Sequence, residues 1–372
     1  MASKIWNWQS KEWPHFSYNE KSLRELELKF SQNTGTVLGA FKHVNNDEKE
    51  LFIVEILSNE ALKTSEIEGE YLDRDSIQSS IKKNLGLSVD KKKVPQAELG
   101  ISEMMVDLYR NYHETLTHEQ LFNWHKMLTN GRRDLTDVGK YRTHGDAMQV
   151  VSGRLDKPTV HFEAPPSNKM EHEMEQFISW FNNTHSQEEK SISPLAKAGI
   201  AHLYFVSIHP FEDGNGRIAR AIAVKSISKS IGQPALISLS KTIEANKKAY
   251  YNSLENNNKS CDITDWLLYF GQTLLDAQEE TLKIIDFLIE KAKFFDRYMA
   301  LMNKRQLKVV KRLFDSGHQG FEGGLSAENY IKIAKTSAST ATRDLKDMAD
   351  KKMLVKKGVL KSTRYYLNVI NK

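Results

Sequence analysis

Apolar residues recur at helical spacing along most of this chain of 372 residues, and strand-like runs are few and short. Leu51, Val54, Leu57, Ala61 and Leu62 outline a helix that stops at Gly69. Leu195, Ala198, Leu203 and Val206 outline a second, opened by Ser193-Pro194, and Ile218, Ala221 and Ile222 a third, closed by Gly232. From about residue 95 to 290 the helical pattern is nearly continuous. Within it Met170, Met174, Phe177 and Phe181 share one helix, Thr117-His118-Glu119-Gln120 reads as a capping box, and Asp262 to Thr264 starts a helix through Trp266 and Phe270. Two β-prone runs, Met148 to Val151 and Thr159 to Pro166, surround a turn region at Gly153 and predict a hairpin.

This length exceeds one typical core, so two or three domains are expected. The start of the chain carries Trp6, Trp8, Trp13-Pro14 and Phe16, enough aromatic anchors for an ordered cap, and Asn84 to Lys93 reads as a polar connection. The expected division is 1–94, 95–290 and 291–372. In the last segment, helices over Gln306–Phe314, Ser326–Ala334 and Ser339–Met348 precede strand-like runs at Leu354–Leu360 and Arg364–Asn368. That is the layout of a winged helix, so the whole is expected to be mainly α with a hairpin and a small C-terminal winged-helix domain.

Charge is unevenly placed. Residues 301–372 hold sixteen Lys or Arg against six Asp or Glu, a surplus of ten, whereas the chain as a whole carries +5. Two partners suit this segment. Duplex DNA would meet Ser339, Thr340, Thr342 and Arg343 in its major groove and Lys356, Lys357 and Lys361 at its phosphates; a docked protein would leave those lysines solvated. Hydrophobic content of 40% and charged content of 27% are ordinary for a soluble protein. A single cysteine, Cys261, excludes an intrachain disulfide and a cysteine-rich metal cluster. Met1 to Trp8 lacks the apolar core of a signal peptide, and no apolar run approaches the ~20 residues that span a bilayer, so a cytoplasmic location without a membrane partner is expected.

The densest chemistry lies between two predicted helices, in His209-Pro210-Phe211-Glu212-Asp213-Gly214-Asn215-Gly216-Arg217-Ile218-Ala219-Arg220. A loop entering a helix N-terminus presents unpaired N–H groups and a positive dipole, which suits phosphate. Gly214 and Gly216 allow close approach, Asn215 can donate its amide, and Arg217 and Arg220, three apart, can form a two-pronged clamp. Asp213 suits Mg²⁺, which needs only one or two carboxylates beside substrate phosphates. His209, mostly neutral at pH 7 if its pKa is about 6.5, can take a proton from an attacking hydroxyl. Phe211 is expected in the core. An EF-hand is excluded, because its sixth position would be Ile218, and there is no Walker loop.

This stretch matches at every specified position the signature His-x-Phe-x-(Asp/Glu)-Gly-Asn-Gly-Arg-x-x-Arg, and so resembles the Fic family. The resemblance implies a Fic-type helical core and transfer of AMP from ATP to a protein hydroxyl, with pyrophosphate released. His209 would be the base, Asp213 the Mg²⁺ ligand, Asn215 and the loop amides the anion hole, and Arg217 and Arg220 the clamp on the β- and γ-phosphates. Both glycines, Gly214 and Gly216, stand where the kinase-like branch differs, which favours nucleotidyl transfer.

A second segment, Thr64-Ser65-Glu66-Ile67-Glu68-Gly69, resembles the family's inhibitory motif (Ser/Thr)-x-x-x-Glu-(Gly/Asn), and implies a restraining pair of Glu68 with Arg220. By the same resemblance Val160, His161 and Phe162 of the hairpin form a flap that aligns the target by edge pairing, Tyr251 and Asn258 border the adenine, and the protein pairs as a homodimer. The function expected is an autoinhibited protein adenylyltransferase acting on a Tyr, Ser or Thr hydroxyl, of another protein or of itself. Alternatives are an AMP-removing hydrolase that uses Glu68, a transferase of another nucleotide, and a DNA-binding regulator with a nucleotide-sensing core.

Overall fold

The computed structural model describes residues 5–42, 44, 46–88, 93–154, 157–183, 192–317, 320–321 and 323–369. Met1 to Lys4, and Val89 to Lys92 of the polar connection, lie outside the described residues, as does the side chain of Lys361. In chain order the elements are α1 (Glu20–Lys42), α2 (Asn46–Ile67), α3 (Arg74–Leu85), α4 (Gln96–Arg110), α5 (His118–Leu128), β1 (Gln149–Arg154), β2 (Lys157–Glu163), α6 (Met170–Asn183), α7 (Pro194–Ile208), α8 (Asn215–Ile231), α9 (Leu239–Ala245), α10 (Lys247–Asn256), α11 (Thr264–Tyr298), α12 (Lys304–Phe314), α13 (Ala327–Ala334), α14 (Ala338–Asp350), β3 (Leu354–Lys357) and β4 (Arg364–Leu367). The mainly α expectation holds.

Contacts group these elements into two compact units, one of Met1–Gly39 with Ile53–Thr281 and one of Ala40–Phe52 with Leu282–Lys372. This differs from the expected 1–94, 95–290 and 291–372. The boundary expected at 94/95 is absent because the aromatic cap packs onto β2 and α7 of the same unit. Trp6 meets Phe162 edge-on at 5.4 Å, Trp13 meets Tyr204 at 5.1 Å, and Trp8 Nε1 donates to Glu163 O at 2.6 Å.

The first unit is built around α7, which is apolar on every side and therefore buried on every side. Ser193 caps it by accepting Ala196 N–H, with Pro194 in the first turn. One face of α7 joins a core with Trp124, Phe177 and Ile218, the other a core with Trp266, Phe270 and Tyr250. α8 packs along α7 and ends at Gly232 in the left-handed conformation. The capping box at Thr117 is only half made. Thr117 Oγ1 accepts Gln120 N–H at 3.1 Å, but Gln120 Oε1 is buried without a partner among the described residues.

In the second unit α12, α13 and α14 pack around Val309, Leu313, Tyr330, Leu345 and Met348, and β3 pairs antiparallel with β4, Leu354 opposite Leu367. The first strand is shorter than expected because Leu360–Ser362 forms a 3-10 turn. Ser339, Thr342, Arg343, Lys356 and Lys357 are exposed, and Thr340 is half-buried. Among the described residues no helix is long and apolar enough to cross a membrane.

The α4–α5 contact depends on Gly100, where a Cβ would lie 1.8 Å from the Met127 carbonyl oxygen. Backbone cannot yield as a side chain end can. Gly100→Ala is therefore expected to destabilise the first unit by about 2 kcal/mol or more, read as a lowered thermal midpoint.

Candidate active site

α7 ends at His209, which has φ 52° and ψ 58° while its N–H still reaches Phe205 O at 3.0 Å. Few non-glycine residues enter this left-handed region, and Pro210 has no N–H to continue the helix. Gly214, with φ 83°, then starts α8. The loop between them is braced from several sides. Phe211 is fully buried and stacks on His125 at 4.3 Å. Glu212 accepts the N–H groups of Thr136 and Asp137 at 2.8 and 2.9 Å. Arg142, 1% exposed, donates to His209 O at 2.8 Å, to Ser167 Oγ at 2.7 Å and to Pro165 O, and its own N–H reaches Pro210 O at 2.9 Å.

Asn215 has a different role from the one expected. Its Oδ1 accepts Phe211 N–H at 3.0 Å and its Nδ2 donates to Phe211 O at 2.8 Å. A buried carboxamide must satisfy both ends, and the loop backbone is the nearest partner. The side chain thus shapes the loop and does not reach outward to an anion. The amides of Asn215, Gly216 and Arg217 precede the first helical bond, made by Ile218 N–H to Gly214 O at 3.0 Å. Those amides form the anion-attracting end of α8.

Both arginines of the motif are nearly sealed from solvent, and both are already paired. Arg220 donates through Nη2 to Glu68 Oε1 at 2.7 Å and to Thr64 O at 2.9 Å, and through Nε to Thr64 Oγ1 at 2.8 Å. Arg217 donates to Glu70 Oε2 at 2.7 Å, with Asp213 Oδ2 at 3.4 Å. The expected Glu68–Arg220 pair is present, and Thr64, four residues before Glu68 on α2, serves as a second anchor for the same guanidinium. A Cβ on Gly216 would lie 2.3 Å from Glu68 Oε1, so this glycine admits the carboxylate.

Asp213, expected to hold metal, accepts Arg132 Nη1 at 2.6 Å. Burial pushes its carboxyl up, but Arg217, the Gly214 N–H and Arg132 outweigh this and hold it below the ordinary range. Arg132 is absent from the expected site residues, because it lies 81 residues from Asp213 in the chain and no local pattern links the two. Burial pushes His209 down to about 4, only partly opposed by the Val206 carbonyl. That oxygen, 3.3 Å from Nδ1, can only accept, so the satisfied tautomer carries its proton on Nδ1 and leaves a lone pair on Nε2.

His209, Glu68 and Gly216 line a cleft of ≈ 540 Å³ with Val206, Tyr251 and Asn258, a size that suits a nucleotide. Tyr251 OH donates to Ile67 O at 3.2 Å and lies 3.4 Å from Glu68 Oε2, whereas Tyr250 is core, bonded to His202. The hairpin is confirmed as β1–β2, and His161 and Phe162 line the cleft. Val160 does not: it packs toward Trp6 and Phe162. An irregular register explains this, since Val150 pairs with Phe162 but Val151 with Val160, leaving His161 as the extra residue. The bulge presents His161 to Ser152 Oγ at 2.6 Å and Glu255 Oε2 at 2.8 Å, and Asn258 Nδ2 donates to His161 O at 3.0 Å. Val150, Val151 and Ser152, from the facing strand, line the cleft instead.

His125 is also pushed down to about 4 by burial, and His202 well below its ordinary value. Unfolded, each would titrate near 6.5. Below that pH the unfolded chain takes up protons that the folded chain refuses, so the stability these two rings contribute is complete above about 6.5 and falls as pH drops toward about 4. The thermal midpoint should decline across that window. His209 should keep the nitrogen chemical shifts of a neutral ring at about pH 5.5; a titration midpoint near 6.5 would mean that the ring is solvated.

Residues 115–226 match the Fic/DOC family, and residues 6–87 match a domain of unknown function (DUF4172). The chain is 28% identical over 142 residues to the protein adenylyltransferase fic-1 of Caenorhabditis elegans, covering 38% of this chain and 24% of that one. To the protein adenylyltransferase Fic of Drosophila virilis it is 31% identical over 142 residues, covering 38% and 27%. The chain thus spans about a quarter of the length of these relatives. Among solved structures, a Fic family protein from Desulfovibrio desulfuricans G20 superposes with a TM-score of 0.53 at 18% identity, over 96% of this chain and 99% of that one. Fic-1 (residues 134–508) from C. elegans superposes with a TM-score of 0.51 at 20% identity, over 70% and 73%. Residues 115–226 therefore form a Fic/DOC domain, in a chain that shares its fold with Fic proteins.

Proposed function

We propose that this chain is an autoinhibited protein adenylyltransferase that moves AMP from ATP to a Tyr, Ser or Thr hydroxyl of a protein. The observation that carries the reading is His209, whose Nδ1 faces the Val206 carbonyl at 3.3 Å, lining the same cleft as Gly216 at the start of α8. In this reading the triphosphate lies against the amides of Asn215, Gly216 and Arg217, with Arg217 and Arg220 on its β- and γ-phosphates. The acceptor oxygen bonds to the α-phosphorus as its proton passes to His209 Nε2, and the bond to the departing pyrophosphate breaks. Tyr251 and Asn258 border the base, and the hairpin edge with His161 and Phe162 aligns the target backbone.

Asp213 fits a divalent cation, being an ionised carboxylate beside the phosphate cradle, which is enough for Mg²⁺ when phosphates complete the shell. When bound there, the cation would neutralise phosphate charge. Arg132 would first have to release the carboxylate.

Restraint is supplied by Glu68. While it occupies Arg220, the clamp lacks one arm. Glu68→Gly should increase transfer from α-labelled ATP to the chain itself or to added proteins, and adding His209→Ala should reduce it at least about a hundredfold. Feeding each labelled nucleotide to the Glu68→Gly form separates ATP from other donors. No gain over the parent would overturn the restraint.

A second reading concerns the basic C-terminal segment. We propose that it docks on duplex DNA, because Arg343 and Lys346 on α14 and Lys356 on β3 are exposed and enter no ion pair among the described residues, whereas Arg305 is held by Asp344. Binding should weaken steeply with added salt and vanish in Arg343→Ala, Lys356→Ala; salt-independent binding, or none, would reject it.

A further inference from the structure

The turn after α2 brings two carboxylates to α8. Ser65 O accepts the N–H groups of Glu68 and Glu70, both at 3.0 Å, and Glu66 O accepts that of Gly69 at 3.0 Å. With Gly69 at φ 85°, this is a Schellman ending, and it sets Glu68 and Glu70 on either side of the glycine. Glu68 meets Arg220 and Glu70 meets Arg217, each at 2.7 Å. The inhibitory resemblance ends at Gly69 and says nothing of Glu70. Arg217 is 4% exposed and its Nε has no partner among the described residues, so the guanidinium has donor capacity that Glu70 alone does not fill.

We propose that Glu70 is a second restraining carboxylate, which occupies Arg217 as Glu68 occupies Arg220, so that a nucleoside triphosphate must displace both before it is clamped. This rests on reading the cleft as a nucleotide site. A sealed guanidinium at the positive end of a helix requires an anion close by. Carboxylate and phosphate oxygen compete for that place. Removing Glu68 releases one arm of the clamp and leaves the other neutralised. Glu70, with 37% of its side chain exposed, can swing outward without unpacking the core.

The test uses the full chain in a His209→Ala background, so that no turnover occurs, and measures ATP and AMP binding by calorimetry with Mg²⁺ present. Glu70→Ala should tighten ATP about fivefold, the scale of about 1 kcal/mol for a partly exposed pair, and leave AMP within about twofold, since AMP has no β- or γ-phosphate to be clamped. Glu70→Gln, which keeps the volume and removes the charge, should act in the same direction. With Arg217→Ala the gain should disappear. Unchanged or weaker ATP binding, or an equal gain for AMP, overturns the proposal. If Glu68→Gly transfers AMP but Glu70→Ala binds ATP like its parent, only this inference fails. If Glu70→Ala tightens ATP yet Glu68→Gly transfers nothing, the inference stands and the transferase reading fails. Absence of ATP binding even in the Glu68→Gly, Glu70→Ala double variant overturns both.

Discussion

Two guanidinium groups held almost out of solvent at the positive end of one helix impose a condition on everything around them. Each buried ion costs several kcal/mol unless a counter-charge lies against it, and the dipole of α8 adds to the positive potential at the same place. The chain meets the condition with Glu68 and Glu70, delivered by a single glycine turn, and with the Thr64 hydroxyl and carbonyl. Carboxylates bound there resemble, in charge and in oxygen geometry, the phosphates that the site is proposed to take. On the function proposed, restraint and substrate recognition would be two occupancies of one electrostatic need.

Such a site works only if the loop before α8 keeps its shape, and its bracing is spread widely in sequence. Asn215 closes the loop on Phe211, Glu212 reaches the backbone at 136 and 137, and Arg142 ties His209 O to Pro165 O and Ser167 at the base of the hairpin. Arg142 is itself lowered to about 10 by burial, a sign of how far this anchor has been taken from water. His209 sits in a left-handed backbone conformation that only such over-determination maintains. The hairpin is positioned in the same manner, by the aromatic cap on one side and by Glu255 and Asn258 on the other.

Much of this was readable from residue order because the signals are local. Helix starts and stops at Ser193-Pro194, Gly69 and Gly232 follow from backbone rules that act within a few residues. The motif from His209 to Arg220, the hairpin and the aromatic cap were likewise visible, since each is a short pattern whose chemistry needs neighbours only along the chain. The orientation of Asn215, the arginine held by Asp213, the turning away of Val160 and the place of Glu70 were not visible. Asp213 and Glu70 depend on arginines that are distant in the chain, Arg132 and Arg217, while Asn215 turns inward to the Phe211 backbone four residues back and Val160 is turned by a one-residue bulge, neither of which residue type or spacing marks. Local order specified the elements and the reactive residue types, because propensity and capping are short-range. Pairing among buried charged and polar groups was settled by packing, because burial obliges each to find a partner regardless of how far away in the chain that partner lies.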